Sequence, residues 1–251
     1  MIKVFLALLA VMAAGSADAE PAAGTSAQGG LSGFVYLPGT EILEEDFLRI
    51  QARLNYVDLK SSSDTYLILP LNVTWGLADG LEIGAEIPFY LDYSQEEDWL
   101  PGDITAGCAW LYETARGGSA IVLRGQLRLP TGLEGRDRGS ELALGATTST
   151  TFRLFRLQAS ASYIIHGGRN PFEGRIIDYM DFSLGGASYI TEDVQIVCAM
   201  DGDTQGDFGL SGSGILYIFD GVSMFGVLRA GLSGAESFNI SAGAAWTGSG
   251  F

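Results

Sequence analysis

Lysine is nearly missing from this chain of 251 residues, occurring only at Lys3 and Lys60. A soluble β protein of this size keeps one face of its strands in water and covers it with charged side chains, so the shortage weighs against that architecture. Long apolar runs are missing too. After the first residues, "YLILPLNV" (66–73) is among the longest, and Pro70 and Asn72 interrupt it. A membrane-crossing helix needs roughly 20 apolar residues, so a helical membrane protein is excluded. Cysteine occurs twice, as Cys108 in "ITAGCAW" and Cys198 in "VQIVCAM", each in phase with the apolar positions of its segment. Two cysteines on separate strands make no disulfide framework, and both are expected to stay free as small buried hydrophobes. The single histidine, His166, cannot build a typical zinc site when both cysteines face away from it. No metal or other cofactor is expected. Fourteen basic residues stand against 30 acidic ones, a formal charge of −16, which disfavours nucleic acid as a partner.

The chain opens on Lys3, an apolar run from Val4 to Ala14, and the small-residue site Ala17-Asp18-Ala19. That is the layout of a secretory signal peptide, residues 1–19, with cleavage before Glu20. No cysteine follows the site to take a lipid anchor. Residues 20–44 are rich in alanine, glycine, serine and threonine and read as a flexible leader, with a short ordered piece at "GFVYLPG". Whether this leader enters the body of the protein is left open by the sequence. Residues 45–251 are expected to form one domain. The composition is apolar for an exported protein, 47% hydrophobic and 18% charged with mean hydropathy +0.22. Glycine, 35 of 251 residues, is about twice its average usage of ~7%. Each glycine inside a helix costs roughly 1 kcal/mol against alanine, so long helices are not expected.

What the chain has in quantity is alternation. In "LEIGAEIPFYLDY" (81–93) one set of positions reads Leu81, Ile83, Ala85, Ile87, Phe89, Leu91, Tyr93, and the other reads Glu82, Gly84, Glu86, Pro88, Tyr90, Asp92. Period two marks a β-strand with one apolar and one polar face. The same pattern places strands near 46–58, 65–77, 81–93, 103–113, 119–130, 140–152, 154–166, 176–190, 194–202, 207–219, 222–233 and 237–248, each long enough for the ~9–11 residues of a tilted membrane strand. Connections alternate in length. Short ones fall at 78–80, 116–118, 153–154, 191–193 and 220–221; longer ones fall at 59–64, 94–102, 131–139, 167–175 and 203–206, with a shorter sixth at 234–236. An even number of strands with short turns on one side and loops on the other predicts an all-β fold: a transmembrane antiparallel up-and-down β-barrel of about twelve strands, with both chain ends on the periplasmic side.

The polar positions decide which face is wet. They carry glycine, serine, threonine, glutamine and a sparse mix of opposed charges, as in "GSELALGATTST" (139–150) and "LQASASY" (157–163), which suits a narrow interior. The apolar positions carry Trp75, Trp110, Trp246, Tyr93, Tyr112 and Phe89, mostly near strand ends, as an interfacial aromatic girdle requires. The chain also ends on an alternating segment and an aromatic residue, Phe251. Leu81, Ile83 and Ile87 are therefore expected to face lipid, and Glu82 and Glu86 the lumen. The competing soluble β-sandwich would leave large apolar patches in water.

Three stretches, "WGLADGLEIGAEIPFY" (75–90), "PGDITAGCAWLY" (101–112) and "LRGQLRLPTG" (123–132), resemble the outer-membrane family named for the MetA pathway of phenol degradation. Its members show a "wgltdrlelgv…P" hairpin, a "GD" strand and a strand ending in "PTG". The resemblance implies a barrel in the outer membrane of a Gram-negative bacterium that transports hydrophobic or aromatic compounds, and it brings no catalytic residues.

The alternation turns a set of polar residues inward: Arg49 and Arg53 on the first strand, Glu82, Glu86 and Asp92 on the third, Arg124, Gln126 and Arg128 on the fifth, Arg156 and Gln158 on the seventh. Two readings of them stay open. Opposed acidic and basic ladders across a pore order water and orient solutes; alternatively they pair and fill a narrow barrel. His166, in "YIIHGGRN", has Ile164 and Gly168 two residues away, so the same-face His/Ser dyad of a barrel hydrolase is missing, and Ser162 is four residues off. A structural, loop-anchoring histidine is expected. "DGDTQGD" (201–207) resembles the start of a calcium loop, but its twelfth position is Gly212 where a bidentate glutamate is needed; acidic turn chemistry explains it. The expected function is a non-enzymatic channel for small solutes. The alternatives are a closed structural barrel with a filled lumen and a lipid-modifying outer-membrane enzyme. The expected partners are the lipid bilayer with its lipopolysaccharide, the outer-membrane assembly machinery and a small-molecule solute.

Overall fold

A computed structural model describes residues 30–59 apart from 32 and 35, and residues 65–91, 100–113, 119–132, 140–152, 155–167, 169–170, 174–175, 178–219, 221–234 and 236–249. The expected signal peptide, Asp92, Tyr93 and Phe251 lie outside the described residues.

Twelve long strands form the wall: β1 (Phe47–Leu59), β2 (Thr65–Ala78), β3 (Leu81–Leu91), β4 (Ile104–Glu113), β5 (Ser119–Leu129), β6 (Glu141–Phe152), β7 (Phe155–His166), β8 (Tyr179–Thr191), β9 (Val194–Asp203), β10 (Phe208–Phe219), β11 (Val222–Ser233) and β12 (Glu236–Ser249). Each pairs antiparallel with the next, and β12 pairs with β1 from Ser249↔Phe47 to Glu236↔Leu59. The sheet therefore closes on itself. Strand positions follow the alternation to within a few residues. Closure is what lets strands cross a bilayer, because a free edge would leave backbone donors and acceptors unsatisfied in hydrocarbon. Two residues, Leu100–Pro101, extend the sheet beside the outer end of β3.

Burial alternates along most of the wall, although 185–189 on β8 and 197–199 on β9 are buried throughout. On β11, Ser223, Phe225, Val227 and Arg229 are buried, whereas Met224, Gly226, Leu228 and Ala230 between them are exposed. Exposed large apolar side chains recur around the wall, among them Ile50, Val73, Ile83, Ile87, Leu123, Leu144, Leu228 and Ile240. The outer surface is a lipid-facing belt. Aromatic residues mark its two rims. Trp75, Trp110, Tyr112, Phe152, Phe219 and Trp246 are exposed near the short-turn ends of their strands. Toward the loop ends lie Tyr56 against Phe238, with ring centroids 5.7 Å apart, and Phe182 against Phe208, at 5.8 Å. From Phe238 to Trp246 is eight residues of β12, about 27 Å along the strand at ~3.4 Å per residue.

One place in the wall departs from regular pairing. Pro70 and Pro88 sit directly opposite each other on β2 and β3. The β1–β2 ladder runs to Ala52↔Leu71 and resumes at Asn55↔Ile68, skipping the two rungs where Arg53 meets Pro70 and Leu54 meets Leu69. Proline has no N–H to give there.

Depth in the belt sets the cost of a charge on it. Leu228, 56% exposed, lies mid-strand on β11, and Leu232 lies one residue from its outer end. Leu228→Arg is expected to lower stability by about 2–4 kcal/mol and Leu232→Arg by about 0–1 kcal/mol, read as the shift in guanidinium unfolding of the protein in vesicles.

Candidate functional site: the barrel lumen

The positions that alternate with the lipid-facing set meet inside. Arg49 and Glu82 are 0% exposed, Gln158 1% and Arg53 2%; Glu86, Arg124, Gln126, Arg128 and Arg156 are half-buried on the same inner face. The remaining candidate, Asp92, is outside the described residues. Every arginine whose side chain is described, at positions 49, 53, 124, 128, 156 and 229, lies on this inner face.

Carboxylates meet most of these cations. Arg53 Nη2 lies 3.2 Å from Glu86 Oε2, and Arg128 Nη1 lies 2.8 Å from Glu141 Oε2 across adjacent strands. Arg229, which the alternation did not single out, grips Asp201 through Nε and Nη2 at 2.9 and 2.6 Å and has Asp207 at 3.7 Å. Pairing of this kind is what lets guanidinium groups stay buried, since stripping water from an unpaired ion costs several kcal/mol.

The sequence left open whether the leader enters the barrel. Its described part, from Gly30 to Glu44, runs inside the end of the barrel that carries the short turns and both strand termini. Leu31 packs on Ala109 and Val122; Leu37, in a short pairing of Gly33–Phe34 with Leu37–Pro38, packs on the opposite wall; Leu43 is also buried. Polar contacts tie the segment to the inner face at several strands. Thr74 Oγ1 donates to the Gly30 carbonyl at 2.5 Å, Thr40 and Ser149 share a hydrogen bond at 2.6 Å, and the Leu43 N–H donates to Glu82 Oε2 at 3.0 Å. Arg124 donates to the Gly39 carbonyl, and Arg156 pairs with Glu41. Glu82 also acts electrostatically on Arg49 and Arg124, and Glu41 on Arg49. Two wall glycines make the fit possible. A Cβ at Gly76 would run into the Glu44 carbonyl, and one at Gly84 into the Gly30 carbonyl.

A second feature escaped the sequence pattern. On β8 to β11 the inner face carries an apolar strip beside polar groups such as Gln195 and Arg229: Ala187, Val197, Ala199, Ile215, Phe225 and Val227 form one buried cluster around Leu37, with Tyr36 and Tyr217 against it. Tyr189 stacks on Tyr217 at 6.1 Å, and Tyr217 OH donates to Gln195 at 3.1 Å. The lumen is thus two-sided, with arginines, amides and carboxylates on β1 to β7 facing an apolar strip.

The remaining candidates have plain roles. The His166 N–H donates to Asp178 at 3.1 Å, its ring stacks on Tyr179 at 5.4 Å, and Nδ1 lies 3.5 Å from Glu141. It anchors the β7–β8 connection at the loop-side mouth. In 201–207, Asp203 Oδ1 accepts the N–H groups of Gln205 and Asp207 at 2.8 and 3.0 Å, which is turn chemistry, and Asp201 serves Arg229. Both cysteines are free and both lie in the set opposite the inward one; Cys198 is buried as expected, whereas Cys108 is exposed beside Trp110 on the outer face.

Known structures share this architecture. The COG4313 outer membrane channel from Pseudomonas putida F1 is similar over 85% of this chain and 98% of its own, with TM-score 0.68 and 12% identity. The KdgM porin is similar over 79% and 98%, with TM-score 0.58 and 8% identity. The outer membrane phospholipase A from Escherichia coli is similar over 79% and 89%, with TM-score 0.52 and 9% identity. Together with the apolar belt, the likeness is decisive for the architecture. The chain has the fold of the outer-membrane β-barrels. No protein-family model matches the chain, and no curated protein does; identities this low establish the fold and leave the solute to the lumen's own chemistry.

The interactions of residues 30–44 centre on Glu82. Glu82→Ala removes the acceptor of the Leu43 N–H and a negative charge facing Arg49 and Arg124, so it is expected to cost about 3–5 kcal/mol, as removal of one partner of a buried charge group does. Hydrogen exchange should show faster exchange at Leu43 and its neighbours while the β1–β12 ladder stays protected.

Proposed function

We propose that this barrel is an outer-membrane channel for small solutes, with apolar or aromatic molecules as the favoured class, in line with the resemblance to the MetA-pathway outer-membrane family. In this reading the signal peptide is removed before Glu20, the outer-membrane assembly machinery inserts the barrel, and lipopolysaccharide surrounds its loop-side rim. The observation that carries the reading is the apolar strip of Ala187, Val197, Ala199, Ile215, Phe225 and Val227 on the inner wall. A lumen for hydrophilic solutes alone gains nothing from such a surface. An apolar molecule would lie against it while the arginines and amides of β1 to β7 keep the rest of the path wet.

A second reading, the closed structural barrel, is favoured by the full burial of Arg49, Glu82 and Leu37 with residues 30–44 in place. Catalysis has less support. His166 keeps the company of Asp178, Glu141 and Tyr179, none of them a serine it could activate.

Planar-bilayer recording separates the two. The mature protein is expected to give small discrete current steps, and Leu31→Ser with Leu37→Ser, which loosen the buried segment, to raise step size or open time. Benzyl alcohol, a neutral aromatic, is expected to reduce the ion current by entering the same path. A correctly inserted barrel that is silent in all forms would establish the structural reading.

A further inference from the structure

The segment from Tyr36 to Glu41 touches the lumen in a way that reads as a chemical template. Leu37 fills the apolar strip, and four residues later the Glu41 carboxylate pairs with Arg156 and lies in the field of Arg49. These two contacts are adjacent on the wall. Arg156 on β7 is the direct cross-strand partner of Ala187 on β8, and Ala187 is the partner of Val197 on β9. Ala187 and Val197 both belong to the Leu37 cluster. With strands about 4.8 Å apart, cation and apolar surface begin one strand spacing from each other. A small molecule that carries a carboxylate on an apolar body is of the size to meet both.

The segment is also an imperfect occupant. Gln158 is two residues from Arg156 on the same inner face and opposite Ser149, the residue that holds Thr40. It is 1% exposed, yet neither its Nε2 nor its Oε1 has a partner among the described residues, and neither does Oγ1 of the buried Thr147. Buried amides are normally hydrogen-bonded, and an unsatisfied one is costly. Wall groups beside Arg156 therefore remain unused while residues 36–41 are in place.

We infer that residues 36–41 are an internal stand-in for a ligand, and that the wall beneath them is a binding site for small carboxylates with an apolar or aromatic body. The carboxylate takes the place of Glu41 on Arg156 and accepts from Gln158, while the body takes the place of Leu37 against Ala187, Val197, Ile215 and Phe225. The ligand and the segment compete, so binding and clearance of the path are one event. This assignment rests on the channel reading and narrows it from apolar solutes in general to their monocarboxylates.

Titration calorimetry on the full mature protein in detergent micelles, with benzoate as probe and benzyl alcohol as its neutral counterpart, tests the site. Glu41→Gln weakens the hold of the segment and is expected to tighten both probes, since each must displace it. Adding Arg156→Gln to Glu41→Gln removes the cation that only the carboxylate uses and is expected to weaken benzoate at least fivefold while leaving benzyl alcohol unchanged. Leu37→Ala, which empties the apolar half, is expected to tighten both probes and serves if Glu41→Gln fails to fold. Equal changes for benzoate and benzyl alcohol on adding Arg156→Gln, or indifference of benzoate to it, would overturn the assignment. So would the absence of benzoate binding in every folded form. A barrel that conducts yet never binds benzoate would leave the channel reading standing without the carboxylate site. One that neither conducts nor binds either probe would remove both.

Discussion

Everything in this molecule depends on the β12–β1 pairing that closes the sheet. Within a bilayer there is no water to satisfy a free edge, so the wall must supply every backbone partner itself. Once it does, period-two geometry leaves no choice about side chains: one set meets lipid and the other is enclosed. The polarity of a soluble domain is inverted, and the polar groups the chain carries are forced into a confined space. The arginines show the consequence. Enclosed guanidinium groups are tolerable only beside carboxylates, and Arg53 with Glu86, Arg128 with Glu141 and Arg229 with Asp201 meet that demand. The same closure explains why the Pro70–Pro88 rung is tolerated, since ladders on either side continue to hold the strands.

Closure also creates the need that residues 30–44 fill. A ring of strands encloses more width than its short inner side chains span, and on β8 to β11 a strip of those side chains is apolar. Left bare, that strip would face water inside the protein. Leu37 covers it, while Glu41 and the carbonyls of Gly30 and Gly39 meet polar groups across the lumen. The segment is two-sided because the lumen is two-sided.

How much of this was legible in the sequence follows from how strictly each part obeys period two. In "LEIGAEIPFY" apolar and polar positions separate cleanly, so the strand, its lipid face and the inward Glu82 and Glu86 were all readable. So were Arg124, Gln126 and Arg128 on β5. In "VQIVCAM" both sets are largely apolar: Ile196, Cys198 and Met200 on one, Val197 and Ala199 beside the single polar Gln195 on the other. Alternation cannot announce an apolar inner wall, because it detects contrast and there is little. The buried segment was hidden differently. Leu31, Leu37 and Leu43 recur every six residues, but Gly33, Pro38, Gly39 and Thr40 between them break any sustained period-two run. Compositional reading sees a flexible leader, and only the tertiary structure shows what those leucines touch. A signal was nonetheless present, since Phe34, Val35, Tyr36 and Ile42 beside the three leucines are more apolar side chains than a solvated linker needs.

The tension between a polar lumen and an apolar solute dissolves once the two halves of the wall are considered together. An apolar ring alone would cover the strip yet strand Arg156 without its carboxylate, and a hydrophilic anion alone would satisfy Arg156 yet leave the strip wet. Each therefore carries a desolvation penalty that Leu37 and Glu41 in place do not. A ligand shifts an equilibrium only through its difference in affinity between two states. A molecule with both features exchanges one carboxylate for another and one apolar group for another, so whatever the wall gives up is replaced in kind. The difference is then decided by what the segment cannot reach, the unpartnered amide of Gln158 and hydroxyl of Thr147. An occupant that satisfies most of a site but not all of it is held firmly enough to fill the lumen and loosely enough to be replaced.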